Sequence, residues 1–315
     1  MQMIQLKSFA KINLTLDVLG VMENGYHELS MIMQQILLCD DVHVKWAEQD
    51  TADENARGIE IKLSTNRKYL PVDERNLAYR AAALMTEKFG RGKCGTIRID
   101  IKKRIPVAAG LAGGSSNAAA VLHALNRLWA LNLDIAELCE VGKIMGSDIP
   151  FCIMGQAAAN ENLREDFRKD PLACHCALAT GTGTELTPVA GLKSHLVLSK
   201  PPISVSTAEV YRGIDGAEIP VHPDNEAMIA ALESRNMKII QKNLINVLEN
   251  FTLNRYPIVM YTKDVLKELC SSNCVLMSGS GPTVFALCKN TTESQYICRH
   301  MKKHNKESFW TRTTW

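Results

Sequence analysis

The chain has 315 residues, enough for two domains with ample core, and at 46% hydrophobic and 22% charged it has an ordinary globular composition. A net charge of +2 gives no basis for a nucleic-acid or membrane partner. The opening MQMIQLKSFAKINL lacks the apolar core of a signal peptide, and no run reaches the roughly 18 apolar residues of a membrane span, so a cytoplasmic protein is expected.

Taken in order, the even positions of residues 4–18 read Ile, Leu, Ser, Ala, Ile, Leu, Leu, Val, the period of a strand with one buried face. Lys11, Asn13, Thr15 and Asp17 share the other face, with Lys11 and Asn13 about 7 Å apart. A lysine there is equally a solvated one. Asn24-Gly25 is a turn signal, followed at once by Tyr26-His27. That pair suits stacking on a flat ring and bonding its edge, or simply ends a hairpin. Residues 42–46 and 59–63 alternate as strands, with a polar loop over 48–57 between them. Residues 76–89 read as a helix closed by Gly90. Ile97, Ile99 and Ile101 then alternate with Arg98, Asp100 and Lys102 in a strand that feeds a glycine-rich loop.

That loop, PVAAGLAGGSSNAAA over residues 106–120, carries Gly110, Gly113 and Gly114 and six alanines, leaving little side chain between a ligand and the backbone. Glycine tolerates φ > 0, so successive N–H groups can turn towards one point. The helix that follows Ser115 and Ser116 adds orphan N–H groups and a partial positive charge. The combination is an anion cradle, for which phosphate is the common ligand. A tight turn packing a small-residue helix on a sheet is the plain alternative.

Asp134 and Glu137 have the spacing of a capping box, opening a helix that ends near Gly146. Ser147-Asp148-Ile149-Pro150 is expected as a loop in which Pro150 keeps Ile149 extended and Asp148 at a fixed corner. Residues 151–154 then read as a short apolar strand, and 160–170 as a charged, irregular loop or linker. Turn and strand resume over 178–188 and 195–199. Helices are expected over 206–211, 224–233, 236–249 and 258–269. Strands over 274–277 and 284–288 flank Ser278-Gly279-Ser280-Gly281-Pro282-Thr283, and a last helix covers about 293–304. Of the ten cysteines, the closest groups are Cys174-His175-Cys176 and Cys270/Cys274. Neither is a paired CxxC framework, so zinc and disulfides are not expected.

GxxxxGK[ST] is absent, as are the protein-kinase motifs and a GxGxxG followed by a spaced acid. What the chain carries in order is Ala10-Lys11-Ile12-Asn13, the glycine loop, Gly146-Ser147-Asp148-Ile149-Pro150-Phe151 and SGSGPTVFA. This set resembles the small-molecule kinase superfamily of galactokinase, homoserine kinase, mevalonate kinase and phosphomevalonate kinase. Gly25-Tyr26-His27-Glu28-Leu29, Val205-Ser206-Thr207 and Asn243-Leu244 narrow the resemblance to its 4-diphosphocytidyl-2-C-methyl-D-erythritol kinases, from about residue 4 to about 290.

The resemblance implies an α+β, two-domain small-molecule kinase fold. A ribosomal-protein-S5-like ATP-binding domain would occupy residues 1–165 and a ferredoxin-like α/β substrate domain residues 166–315. It implies ATP and Mg²⁺, a small-molecule alcohol as partner, no nucleic acid or membrane, and a monomer or homodimer. Pro106, Ala108, Gly110, Leu111, Ala112, Gly113, Gly114, Ser115 and Ser116 would hold the ATP phosphates, and Asn76 would contact adenine. Asp148 would be the general base, paired with Lys11. Tyr26 would stack on cytosine, His27 bind its edge and Asn13 the erythritol end. Ser278, Gly279, Ser280 and Gly281 would form a supporting loop; no side chain is assigned to a metal. Ala112 stands where the family has glycine and Asn117 where it has Asp, which would tighten the loop and remove an acid near the phosphates. Val21-Met22-Glu23-Asn24 also departs from the pattern, and residues 157–176 resemble an insertion. Two alternatives stay open: another alcohol kinase of the superfamily, or an inactive nucleotide-binding paralogue.

Overall fold

The structure, a computed structural model, describes residues 2–49, 58–163, 165–272 and 274–315. Most of the polar loop expected over 48–57 therefore lies outside the described residues. The fold is α+β and clusters into two compact units, each assembled from several stretches of chain. The first comprises Met1–Ala10, Cys39–Ile105 and Ala112–Cys174; the second comprises Lys11–Leu38, Pro106–Leu111 and His175–Trp315. Two long paired strands, β1 (Gln2–Val21) and β2 (His27–Glu48), contribute residues to both.

In the first unit β3 (Ile59–Thr65) lies parallel to β4 (Gly95–Lys102), in register from Ile59 opposite Gly95 to Thr65 opposite Ile101. Parallel neighbours need a crossover, and α1 (Leu77–Phe89) supplies it, capped by the Asn76 side chain on Ala78 N. β4 also pairs antiparallel with residues 41–48 of β2. The strand's alternation is realised, with Ile97, Ile99 and Ile101 buried and Arg98, Asp100 and Lys102 exposed. Helix α2 (Gly113–Leu128) packs on α1 and on α4 (Asp148–Ala159), and α3 (Ile135–Lys143) on α4. The Asp134–Glu137 capping box opens α3 in both directions.

In the second unit residues 29–34 of β2 pair with β5 (Cys176–Gly181), which turns back as a hairpin into β6 (Glu185–Pro188). A separate antiparallel sheet runs β10 (Glu307–Arg312), β7 (His195–Lys200), β9 (Val284–Cys288), β8 (Val275–Met277). Helices α10 (Pro257–Leu269) and α11 (Thr291–His304) pack on it. The remaining helices are α6 (Thr207–Ile214), α7 (Asn225–Glu233), α8 (Met237–Asn243) and α9 (Glu249–Arg255). None of the ten cysteines is in a disulfide.

Three expectations are corrected. Residues 147–154 are not loop and strand: Asp148 is the first residue of α4, and 151–154 lie in its interior. Pro150 is accommodated because the first turn has orphan N–H groups anyway. The helix is buried on every side from Ile149 to Ala157, so it shows no amphipathic period. The helix expected over 236–249 stops at Asn243 as α8, and α9 begins only at Glu249; between them Leu16 N donates to Ile245 O (2.9 Å) and Val247 N to Leu16 O (2.9 Å), a bridge to β1. The irregular segment over 160–170 contains a short helix, α5 (Glu165–Lys169), that buries Phe167. It is tied to β1 by Asn160, whose side chain donates to Lys7 O (2.9 Å) and accepts from Lys7 N (2.8 Å).

Within the first unit the fully buried His123 of α2 bonds through Nε2 to Ile153 O of α4 at 3.0 Å. A carbonyl only accepts, so Nε2 carries the hydrogen. Burial pushes this imidazole down to about 4, against a smaller opposing effect of that bond. As the pH falls from about 6.5 to about 4, the unfolded chain gains a proton that the folded chain refuses. Stability should therefore drop over that window, by up to ~3 kcal/mol from this one residue. Urea denaturation at several pH values should show the drop in the parent and a smaller one in His123→Gln; superimposable profiles would remove His123 as its source.

Candidate active site

In the first unit the glycine loop ends at Ala112, which caps α2 in the left-handed region (φ +54°, ψ +27°) and makes no side-chain capping bond. Alanine there costs roughly 1–2 kcal/mol relative to glycine, so the substitution strains the loop. The first turn of α2, Gly113-Gly114-Ser115, thus opens a 16-residue helix with neither a cap nor an acid. The next two side chains point inward. Ser116 is fully buried, with its hydroxyl accepting from Ser8 Oγ (2.9 Å) and its carbonyl accepting from Gln156 Nε2 (2.8 Å). That leaves Ser115, half-buried, as the loop serine with a reachable hydroxyl.

Asn117 joins a buried charge cluster under the same turn. Asp40, with no exposed side-chain surface, accepts from Lys103 Nζ (2.5 Å), Arg104 N (2.6 Å), Ile105 N (2.8 Å) and Asn117 Nδ2 (2.9 Å). Lys103 Nζ also donates to Asn117 Oδ1 at 2.9 Å. Burial pushes the Lys103 ammonium below its usual range, with Asp40 offsetting part of the effect. An Asp at 117 would place a second carboxylate on one ammonium; Asn keeps the cluster neutral in sum. The departure at 117 is therefore read in the structure as a matter of interior charge balance.

In the second unit Lys11 is buried, donating through Nζ to Asn13 Oδ1 (2.8 Å), while Asn13 Nδ2 donates to Met31 Sδ (3.2 Å). Lys11 N donates to Leu111 O (3.2 Å), which ties β1 to the first half of the glycine loop. Ser278 Oγ donates to Gly110 O (2.9 Å) from the SGSGP turn. Gly110 sits at φ +70°, and a Cβ there would meet Ser278 O at 2.2 Å, so only glycine fits. The turn is itself fastened: Asn246 Nδ2 donates to Met277 O and Gly279 O, both at 2.8 Å, and Ser280 Oγ bonds Thr207 Oγ1 at 2.9 Å.

At the β1–β2 turn Gly25 adopts φ +80° and Met22 N donates to Tyr26 O (2.7 Å). Tyr26 is 67% exposed. His27 is held from α6: Nε2 donates to Asp215 Oδ1 (2.7 Å), and the ring lies 4.8 Å from that of Tyr211. Neutral His27 therefore offers Nδ1 as an acceptor. Neither Tyr211 nor Asp215 carries a motif of its own, so sequence reading passed over both. Asn76 is half-buried, with Oδ1 capping α1 and Nδ2 donating to Pro71 O (2.9 Å). Asp148, half-buried at the start of α4, belongs to the first unit and Lys11 to the second. Among the described residues no group of three His, Cys, Asp or Glu side chains could hold a metal ion.

Residues 76–156 match the family described as GHMP kinases N terminal domain, and residues 228–307 match GHMP kinases C terminal. The 4-diphosphocytidyl-2-C-methyl-D-erythritol kinase of Alkaliphilus metalliredigens is 43% identical over 293 residues, 92% of this chain and 89% of that one. The protein of the same name from Bacillus pumilus is 44% identical over 293 residues, 92% and 90% of the two chains. The chain belongs to the 4-diphosphocytidyl-2-C-methyl-D-erythritol kinase family. A crystal structure of a 4-(cytidine 5'-diphospho)-2C-methyl-D-erythritol kinase superposes with a TM-score of 0.77 at 28% identity, covering 99% of this chain and 100% of that one. In this member of the family Asn76, the glycine loop and Asp148 fall in the first matched range, Asn246 and the SGSGP turn in the second.

The cluster beneath α2 generates a direct test. Asp40→Asn leaves the Lys103 ammonium buried without its counter-charge, and folding stability should fall by about 3–5 kcal/mol in urea. The double variant Asp40→Leu/Lys103→Met should recover most of that loss. A single variant within 1 kcal/mol of the parent, at about the noise of surface changes, would show that the pair is not where the charge sits.

Proposed function

We propose that the chain transfers the γ-phosphoryl group of ATP to the 2-hydroxyl of 4-diphosphocytidyl-2-C-methyl-D-erythritol, a step of the non-mevalonate route to isoprenoid precursors. The observation that carries this is kinship, at 40% identity or more over nearly the whole chain, to enzymes of that name. The geometry supports it. Phosphoryl transfer needs positioning and charge stabilisation more than covalent chemistry. The uncapped start of α2 supplies N–H donors and a positive helix end where an anion is wanted. Residues 106–116 are the proposed phosphate cradle. Mg²⁺ characteristically binds through substrate phosphates and one or two oxygen ligands, which suits a chain without a three-ligand cage among its described residues. Ser115 is the proposed protein hydroxyl beside it.

Asp148 accepts the proton of the substrate hydroxyl, whose oxygen then bonds to the γ-phosphorus as the bond to the leaving ADP breaks. Lys11 supplies positive charge to the transferred group. Tyr26 stacks on cytosine, with Tyr211 as a second ring beside His27, and His27 accepts at Nδ1 from an N–H of the base edge. Asn13 contacts the erythritol end, and Asn76 reaches adenine with the second hydrogen of its Nδ2. ATP binding falls mainly to residues 1–165, and residues 166–315 add Tyr211 and Asp215 to the substrate side, in a cytoplasmic monomer or homodimer. No helix among the described residues is long and apolar enough to cross a membrane. A nucleobase pocket separates this reading from that of a kinase for simple alcohols, and intact Lys11 and Asp148 from that of an inactive paralogue.

Two measurements test it. Asp148→Asn should lower kcat by at least ~10²-fold with ATP affinity little changed, as for loss of a general base; near-normal turnover would remove Asp148 from the mechanism. Tyr26→Ala and Tyr211→Ala should each weaken the cytidyl substrate by ~1–3 kcal/mol in titration calorimetry, leaving ATP binding unaltered. Unchanged substrate affinity in both would refute the aromatic pocket.

A further inference from the structure

Away from the glycine loop, the first unit holds a cavity of about 210 Å³ between the C-terminal half of α2 and the segment that carries α5. Its walls are Leu163 and Phe167 on one side and His123, Asn126 and Arg127 on the other. Two polar features sit at different depths. His123 is 1% exposed, and its Nδ1 has no hydrogen-bond partner. Because Nε2 donates to Ile153 O, Nδ1 presents a bare lone pair, and a buried acceptor left unmet is costly. Arg127 lies one turn further along the same face of α2, about 6 Å along the axis, and is exposed. One of its terminal nitrogens donates to Asn162 O, leaving the rest of the guanidinium fork for an anion. Asn126 is spent on Leu133, donating to its carbonyl (2.9 Å) and accepting from its N–H (3.0 Å), so it shapes the wall without adding a donor. The Phe167 ring lies 5.7 Å from the imidazole of His123.

We propose that this cavity is a second ligand site, for a small organic monocarboxylate with an apolar body and a hydroxyl or N–H at its far end. The carboxylate meets Arg127 at the mouth, the body lies against Leu163 and Phe167, and the donor reaches His123 Nδ1. Sulfate does not fit, since it brings no donor to the lone pair, and neither sulfate nor hydrogen phosphate brings a surface to the apolar wall. None of these residues belongs to the proposed catalytic machinery, so the site stands or falls apart from the kinase reading.

The test uses 4-hydroxyphenylacetate as probe on the full-length protein, by calorimetry and by ¹⁵N resonances of His123. Saturable binding is expected with Kd about 1 mM or tighter. Phenylacetate, which lacks the donor, and 4-hydroxyphenylethanol, which lacks the anion, should each bind about tenfold more weakly. The Nδ1 resonance should shift with the probe and not with phenylacetate. Arg127→Gln, an exposed change that should keep fold and kinase turnover, should also weaken the probe about tenfold. The absence of saturation at about 10 mM would mean that water alone meets Nδ1 and would overturn the site. So would a probe affinity indifferent to both Arg127→Gln and loss of the hydroxyl.

Discussion

The arrangement rests on one buried carboxylate. Asp40 sits where β2 passes under the start of the glycine-loop helix, and its two oxygens accept from the Lys103 ammonium, two backbone N–H groups and the Asn117 amide. It thereby fixes the residues leaving β4, on which the loop begins, to the first turn of α2, on which the loop ends within its unit. Such a pair adds little net stability over an apolar substitute, because both charges have left water. Its value lies in register: any slip of the strand would strand an ammonium in the core.

The loop itself has almost no side chains with which to hold its own shape. The structure supplies the constraint from outside, and in each unit it does so differently. Around Gly113 the fastening is ionic and inward. Around Gly110 it is made of backbone and hydroxyl groups, with Ser278 bonded to Gly110 O and Asn246 bonded across the turn that carries Ser278. A loop of small residues is thereby held in shape, as the proposed anion cradle requires. The strained Ala112 is tolerated because both flanks are pinned.

Elements with a local signal were legible in the sequence. The helix over 76–89, the capping box at Asp134 and Glu137, the isoleucine strand and the SGSGP turn all stand where periodicity and caps put them. The misses share a cause, which is burial that does not follow polarity. Helix α4 is buried all round and so has no face to read. The first half of β2 hides Gln34 and Gln35, with Gln34 donating to Thr314 O and accepting from Leu192 N, which erases the alternation. Strand β10 inverts it, burying Ser308 against Ser199 while Trp310 stays half-exposed. At the proposed site, motif resemblance singled out Lys11, the loop and Asp148. Tyr211 and Asp215 were out of reach because an aromatic and an acid on an ordinary amphipathic helix carry no mark of the hairpin they will meet.

Because each unit is gathered from separated stretches, the two differ in when their chain becomes available on the ribosome. The first has all its residues once Cys174 has emerged. In the second, residues 29–34 meet β5 soon after, but Gln35 O meets Thr314 N, and Ser194 O meets Thr313 N, only once nearly all of these residues have emerged. At ordinary elongation rates that delay is on the order of ten seconds. During it the stretch of β2 around Gln35 lacks its partner from residues 313–314, and an unpaired strand in a nascent chain is open to mispairing.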